Sequence, residues 1–296
     1  MLLSAVAELK RQGKENRTLK LYGQERNLIT SAIARMNLFL HGIEDFYIER
    51  GDTLAEPKFI AGDTLRRFNV VLANPPYSIK KWSRSAWKSD PYGRNLYGVP
   101  PQGRADYAFF QHIIASMNQH NGRCAILFPH GVLFRDEEQE MRAKLVEDDK
   151  VECVLGLGPN LFYNSSMTSC VVICRMNKPH ERKGKILFID ALHEVTRERT
   201  QSFLSEEHIE KILQTYRNFR DVEGFAYIAS LEEIRANQSN LNVPLYIRSM
   251  GSNGRTMVDK EQTLRKVITE WQASSQSLRT SMSNLFAVLE EAGFDH

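Results

Sequence analysis

The sequence predicts an α/β domain built on a mostly parallel sheet, and three observations carry that reading. Apolar, strand-like runs alternate with amphipathic helical runs along residues 1–200. Polar residues stand at the ends of several of these strands, at Glu25, Asp52 and Asn74. One buried-looking run, "NVVLA" at 69–73, stops on "NPPY" at 74–77, four residues that end the strand and stiffen its end.

The elements follow in order. "LLSAVAELK" (2–10) spaces its apolar residues as a helix and starts without a capping residue. "LKLYGQE" (19–25) reads as a strand running into a turn. "NLITSAIARMNLFLHGI" (27–43) reads as a long amphipathic helix with Gly42 just past its end. "FYIERGD" (46–52) and "FNVVLA" (68–73) are strands. "DYAFFQHIIASMNQH" (106–120) is a helix, closed by the turn Asn121-Gly122 before the strand "RCAILFP" (123–129). "DEEQEMRAKLVEDD" (136–149) is a helix with acids at the end where its dipole favours them. "VECVLGLG" (151–158), "SCVVICRM" (169–176) and "KILFIDA" (185–191) are strands, and this first domain ends near residue 200. Residues 201–250 read as a helix-rich extension with a strand at 240–247, which Pro244 confines to an edge. A polar linker covers 249–256, and a C-terminal helix occupies 257–296.

At 296 residues, 42% of them hydrophobic and 25% charged, the chain can bury a full core. A net charge of +3 is too small to argue for nucleic acid, so only local clusters count. No apolar run reaches the length of a membrane span and no signal-peptide pattern opens the chain, so no membrane partner and a cytoplasmic location are expected. Cys124, Cys153, Cys170 and Cys174 lie in strand-like runs and read as buried, reduced thiols. No Cys/His group has zinc spacing, and no metal is expected.

In open α/β sheets, ligands bind beyond the carboxyl ends of the strands. A carboxylate there, as at Glu25 or Asp52, can accept both hydroxyls of a ribose; it can equally cap the helix that follows. Asn74 is more telling. Its backbone is held extended by Pro75, and Pro75 and Pro76 have fixed φ, so the tetrapeptide is a rigid hook. The Asn74 amide oxygen and the Pro75 carbonyl, side by side, can accept both hydrogens of one exocyclic NH2 group. A planar base can stack on Tyr77. With proline near 5% of residues, Asn-Pro-Pro-aromatic arises by chance in well under roughly 1% of chains of this length.

"NPPY" after a buried strand resembles the catalytic motif of amino-methyltransferases that use S-adenosylmethionine. With "LYGQE" (21–25), "GDTL" (51–54), "DYAFFQHII" (106–114) and "NLFYNSSMTSCVVIC" (160–174), residues 1–250 resemble the modification subunit of type I restriction–modification systems. Those subunits are DNA adenine N6-methyltransferases with a Rossmann-like sheet. The resemblance implies Glu25 on the cofactor ribose and Asp52 at the cofactor adenine. It puts Asn74 and Asp106 in the cofactor pocket, although Asp106 reads equally well as a helix N-terminal acid. Asn74 and Pro75 would hold the target N6, with Pro76 completing the hook. Tyr77 would stack on the flipped adenine, and Phe162 would be a second stacking partner. The partners implied are double-stranded DNA and the specificity and restriction subunits. The family's glycine-rich cofactor loop follows its first strand and precedes a helix like that at residues 2–10. This sequence carries no such loop, so a sheet without its first strand is expected, together with an upstream polypeptide that completes the fold.

Between 78 and 104, Lys80, Lys81, Arg84, Lys88, Arg94 and Arg104 stand against one acid, Asp90, with Trp82, Trp87, Tyr92 and Tyr97 interleaved. Cations and rings directly after the hook suit DNA held beside a flipped base, and Lys80, Lys81, Arg84 and Lys88 are the expected contacts. The expected function is DNA adenine N6-methylation. The alternatives are an N-methyltransferase acting on RNA or on a protein glutamine amide, and a non-catalytic assembly subunit.

Overall fold

The computed structural model describes residues 1–14, 19–162, 167–198 and 202–247, with Ile268, Trp271, Ser275 and Gln276 beyond them. The expected linker at 249–256 and nearly all of the C-terminal helix lie outside the described residues. Residues 1–247 form one compact unit. It runs α1 (Leu2–Arg11), β1 (Leu21–Glu25), α2 (Leu28–Leu40), β2 (Phe46–Arg50), the hairpin β3 (Ile60–Ala61) and β4 (Thr64–Leu65), β5 (Val70–Ala73), α3 (Arg84–Trp87), α4 (Asp106–Ala115) and β6 (Arg123–Pro129). Then come α5 (Gln139–Glu147), β7 (Val151–Leu157), β8 (Ser169–Arg175), β9 (Lys185–Ala191), the short pair β10 (Thr196–Arg197) and β11 (Ser202–Phe203), α6 (Glu206–Asn218), β12 (Ala226–Ser230), α7 (Leu231–Ala236) and α8 (Val243–Tyr246).

Six strands form the main sheet in the order β12-β9-β7-β8-β6-β5. β5 and β6 are parallel, as are β7 and β9, while β8 runs antiparallel to both β6 and β7. The carboxyl ends of β5, β6, β7 and β9 therefore share one edge. The sheet is mixed where a mostly parallel one was expected. β8 follows β7 after a connection shorter than a helical crossover and returns antiparallel, and β12 at the sheet's other edge is antiparallel to β9 as well. β7 is buried at all seven residues, as befits a strand covered on both faces.

Two apolar layers cover the sheet. Phe110 and Ile113 of α4, Leu145 of α5 and Tyr246 of α8 pack with Val154, Val172 and Phe188 on one side. Ile212 of α6 and Phe225 pack with Cys153, Leu155, Leu187 and Ile189 on the other. All four cysteines are free and buried. Residues 201–247 belong to this same body, because β12 pairs antiparallel with β9. The expected edge strand at 240–247 is instead the helix α8. Pro244 sits in its first turn, where a missing N–H costs nothing, and Tyr246 stacks on Phe188 with centroids 4.0 Å apart.

β1 and β2 form a separate two-stranded parallel sheet, with Glu25 opposite Arg50. α1 and α2 cover it through Val6, Leu21, Leu38 and Ile48. Among the described residues, β1 pairs only with β2, and β5 only with β6.

Candidate active site

The hook leaves the main sheet at the end of β5. Pro75 is buried and anchors it, while Asn74 and Pro76 are exposed. No hydrogen bond between described residues engages the Asn74 amide. Tyr77 is half-buried, and its hydroxyl pKa is pushed up to about 12, by burial first and then by the nearby Cys170 and Asp106. The phenol thus stays neutral at any ordinary pH. Phe162 lies in the connection that follows β7, partly buried, at the same edge of the sheet as the hook.

Asp106 sits at the first residue of α4 and is 1% exposed. Its Oδ1 accepts from the Ser78 backbone N–H at 2.8 Å, and its Oδ2 accepts from Arg135 Nη2 at 2.7 Å. It faces the residue after the hook, enclosed by protein.

Glu25 ends β1, and Asp52 lies two residues beyond the end of the parallel strand β2. Glu25 Oε1 accepts from the Asn27 N–H at 2.7 Å. Asp52 Oδ1 accepts from the N–H groups of Leu54 and Ala55, and Oδ2 lies 3.4 Å from Arg26 Nη1. Both acids therefore order their own turns and keep part of each carboxylate on the surface.

The segment 78–104 is folded, not a solvated basic loop. Arg94 is 3% exposed and donates to Asp90, to the Thr53 carbonyl and to the Leu54 carbonyl, each at 2.6–2.9 Å. These bonds fasten the turn after Asp52 to the segment after the hook. Trp87 and Tyr97 are buried, Trp87 beneath the Arg94 guanidinium, so these rings are core and not stacking surfaces for DNA. Burial and Arg94 push His112 down to about 3, and the neutral imidazole of α4 lies 3.4 Å from Arg94 Nη1. Of the expected DNA contacts, Lys80, Lys81 and Lys88 are exposed, whereas Arg84 donates to the Pro100 carbonyl at 2.7 Å. α4 thus meets the segment after the hook at two points, Asp106 at Ser78 and His112 at Arg94.

The N-6 DNA methylase family model matches residues 1–253. The chain belongs to the N-6 DNA methylase family. It is 40% identical over 239 residues to the type I restriction enzyme MjaVII methylase subunit of Methanocaldococcus jannaschii, a match covering 77% of this chain and 40% of that protein. It is 31% identical to the HindI methylase subunit of Haemophilus influenzae, over 92% of this chain and 62% of the relative. Its fold is similar to that of the type I methyltransferase subunit from Streptococcus thermophilus, with a TM-score of 0.75 at 37% identity, covering 82% of this chain and 51% of that one. This N-6 DNA methylase family member spans about half the length of the relatives it matches.

The hook, Glu25, Asp52 and Phe162, which the sequence offers as site residues, lie at or a few residues beyond the carboxyl ends of β5, β1, β2 and β7. Sequence reasoning missed Arg135 and read Arg94 as a surface cation. For Arg94 a signal existed, since Asp90 lies four residues before it, the spacing of an ion pair on one helical turn. For Arg135 there was none, because its partner Asp106 is 29 residues away in sequence.

Proposed function

We propose that the chain methylates N6 of an adenine flipped out of double-stranded DNA, with S-adenosylmethionine as donor, as the modification subunit of a type I restriction–modification assembly. The observation that carries this is the Asn74 amide, exposed and uncommitted, on a frame fixed by buried Pro75 and by the Ser78–Asp106 bond. Asn74 Oδ1 and the Pro75 carbonyl accept the two N6 hydrogens, which leaves the nitrogen lone pair free to attack. Tyr77 stacks on the adenine, with Phe162 as the second ring. The open faces of Glu25 and Asp52 fit the ribose and adenine of the cofactor, whose sulfonium supplies an electrophilic methyl. Rate enhancement comes from positioning and from the two acceptors, without a strong base. Lys80, Lys81 and Lys88 meet phosphates. Specificity and restriction subunits complete the assembly.

The test is Asn74→Ala in the assembled complex. Alanine removes the amide acceptor and keeps the proline-fixed backbone, so transfer to DNA is expected to fall at least about 100-fold with cofactor affinity retained. Methylation at the parental rate, or a preference for RNA or for a glutamine peptide over DNA, defeats the proposal.

A further inference from the structure

The arm of the hook beyond Tyr77 is held from behind by charged groups that no substrate would touch. Ser78 has φ 51°, in the left-handed region, which serine adopts where its surroundings fix it. The fixing contact is its N–H, which donates to Asp106 Oδ1. The other Asp106 oxygen accepts from Arg135, and Arg135 Nε lies 2.9 Å from Oε2 of the fully buried Glu138. The Arg135 backbone is itself tied down: its carbonyl accepts from Arg142 Nη1 at 2.9 Å, and buried Arg142 Nε donates to the Ser239 carbonyl at 2.8 Å. A continuous line of contacts therefore runs from α5, through Arg135 and Asp106, to the residue after Tyr77. An acid serving only its own helix would face the N-terminal N–H groups or solvent. Both oxygens of Asp106 turn away to Ser78 and Arg135.

We infer that Asp106 and Arg135 are positioning residues for the transfer: they clamp the backbone at Ser78 and so fix the Tyr77 ring and the Pro75 carbonyl against the target base. This rests on the hook reading above. It also takes the place of the cofactor-lining role expected of Asp106, because a carboxylate enclosed in this way offers no surface to a cofactor. Loosening the clamp leaves Asn74, Glu25 and Asp52 in place but lets the hook's far end wander. Displacements of about 1 Å cost roughly 100-fold in rate in such constellations.

Two readouts test the inference. Hydrogen exchange at the Ser78 amide, measured by NMR on the full chain, is expected to quicken at least about tenfold in Asp106→Ala, while Ile126 and Val154 in the sheet stay protected. In the assembled complex the same variant is expected to lose at least about tenfold in kcat, with KM for S-adenosylmethionine within about twofold of the parent. Asp106→Asn keeps an oxygen for Ser78 and should recover part of both. Unchanged exchange, or unchanged kcat, overturns the inference. Should the alanine variant lose protection throughout the sheet, Asp106→Asn and Arg135→Lys carry the comparison. A kcat lowered at least about threefold at constant KM then supports the clamp, and parental kcat in both overturns it. Failure of the hook reading shows separately, as an Asn74→Ala enzyme that methylates at the parental rate.

Discussion

Glu138 has no exposed surface, and neither of its carboxylate oxygens receives a well-aligned hydrogen bond from the described residues. In sequence it is the third of three acids, Asp136-Glu137-Glu138, a run that reads as the solvated start of a helix. Only packing shows that one of the three is inside, because the first turn of a helix has an inner and an outer side. Burial raises its pKa to about 7 from an ordinary 4.5; Arg135 opposes the rise, Asp106 adds to it, and Arg104 and Arg142 oppose it weakly. The native state holds this proton longer than the unfolded chain does. The group's stabilising contribution is thus complete below about 4.5 and is lost as pH rises through about 7. The gap corresponds to about 3 kcal/mol. Glu138→Gln cannot ionise, so its melting temperature should gain on the parent's by roughly 5–10 °C between pH 5 and pH 8. A difference that stays constant across that range shows that Glu138 titrates as an ordinary glutamate.

At the scale of elements, strands are most legible where turn residues bound the apolar run: 123–129 and 185–191 have the expected limits. Direction and neighbours are not legible, because an apolar run buries equally well in a parallel or an antiparallel place. That is why β8 reverses the expected pattern, and why Pro244 marks a helix start and not an edge strand. The segment 78–104 teaches the same lesson about charge. Composition shows six cations, whereas the fold divides them: Arg94 is core, Arg84 is committed to the Pro100 carbonyl, Arg104 pairs with Glu137, and Lys80, Lys81 and Lys88 are exposed. Two substitutions should therefore separate. Arg94→Ala strands the buried Asp90 carboxylate and two carbonyls, and should cost roughly 3–5 kcal/mol in unfolding titrations. Lys80→Glu with Lys81→Glu should leave stability within about 0.5 kcal/mol of the parent. The same pair should reduce the salt dependence of DNA binding, by about 0.9 in slope for each phosphate no longer neutralised. Equal stability losses in both variants, or an unaltered salt slope, would remove the division between core and surface cations.

At the scale of the whole molecule, the apolar surface is unevenly placed. α2 packs on β1 and β2 through one side, yet Ile29, Ile33, Met36 and Leu40 form a second stripe at helical spacing, each between 54% and 71% exposed. Leu28 and Phe39 widen it, and Val70 and Leu72 of β5 are also exposed. Helical periodicity makes α2 legible in the sequence, but periodicity cannot say that only one of two apolar faces finds a neighbour. Contiguous apolar surface of this extent is uncommon on a monomer, and β1 and β5 add strand edges with no partner among the described residues. The full chain on its own should therefore associate in solution at micromolar concentration through α2. Sedimentation velocity checks this against Ile33→Glu combined with Leu40→Lys, both on the exposed stripe and away from buried Ser31 and Leu38. The double variant should sediment as a monomer and keep the parental melting temperature. A parent chain that is already monomeric, or a variant that associates as strongly, would mean that the stripe on α2 does not govern assembly.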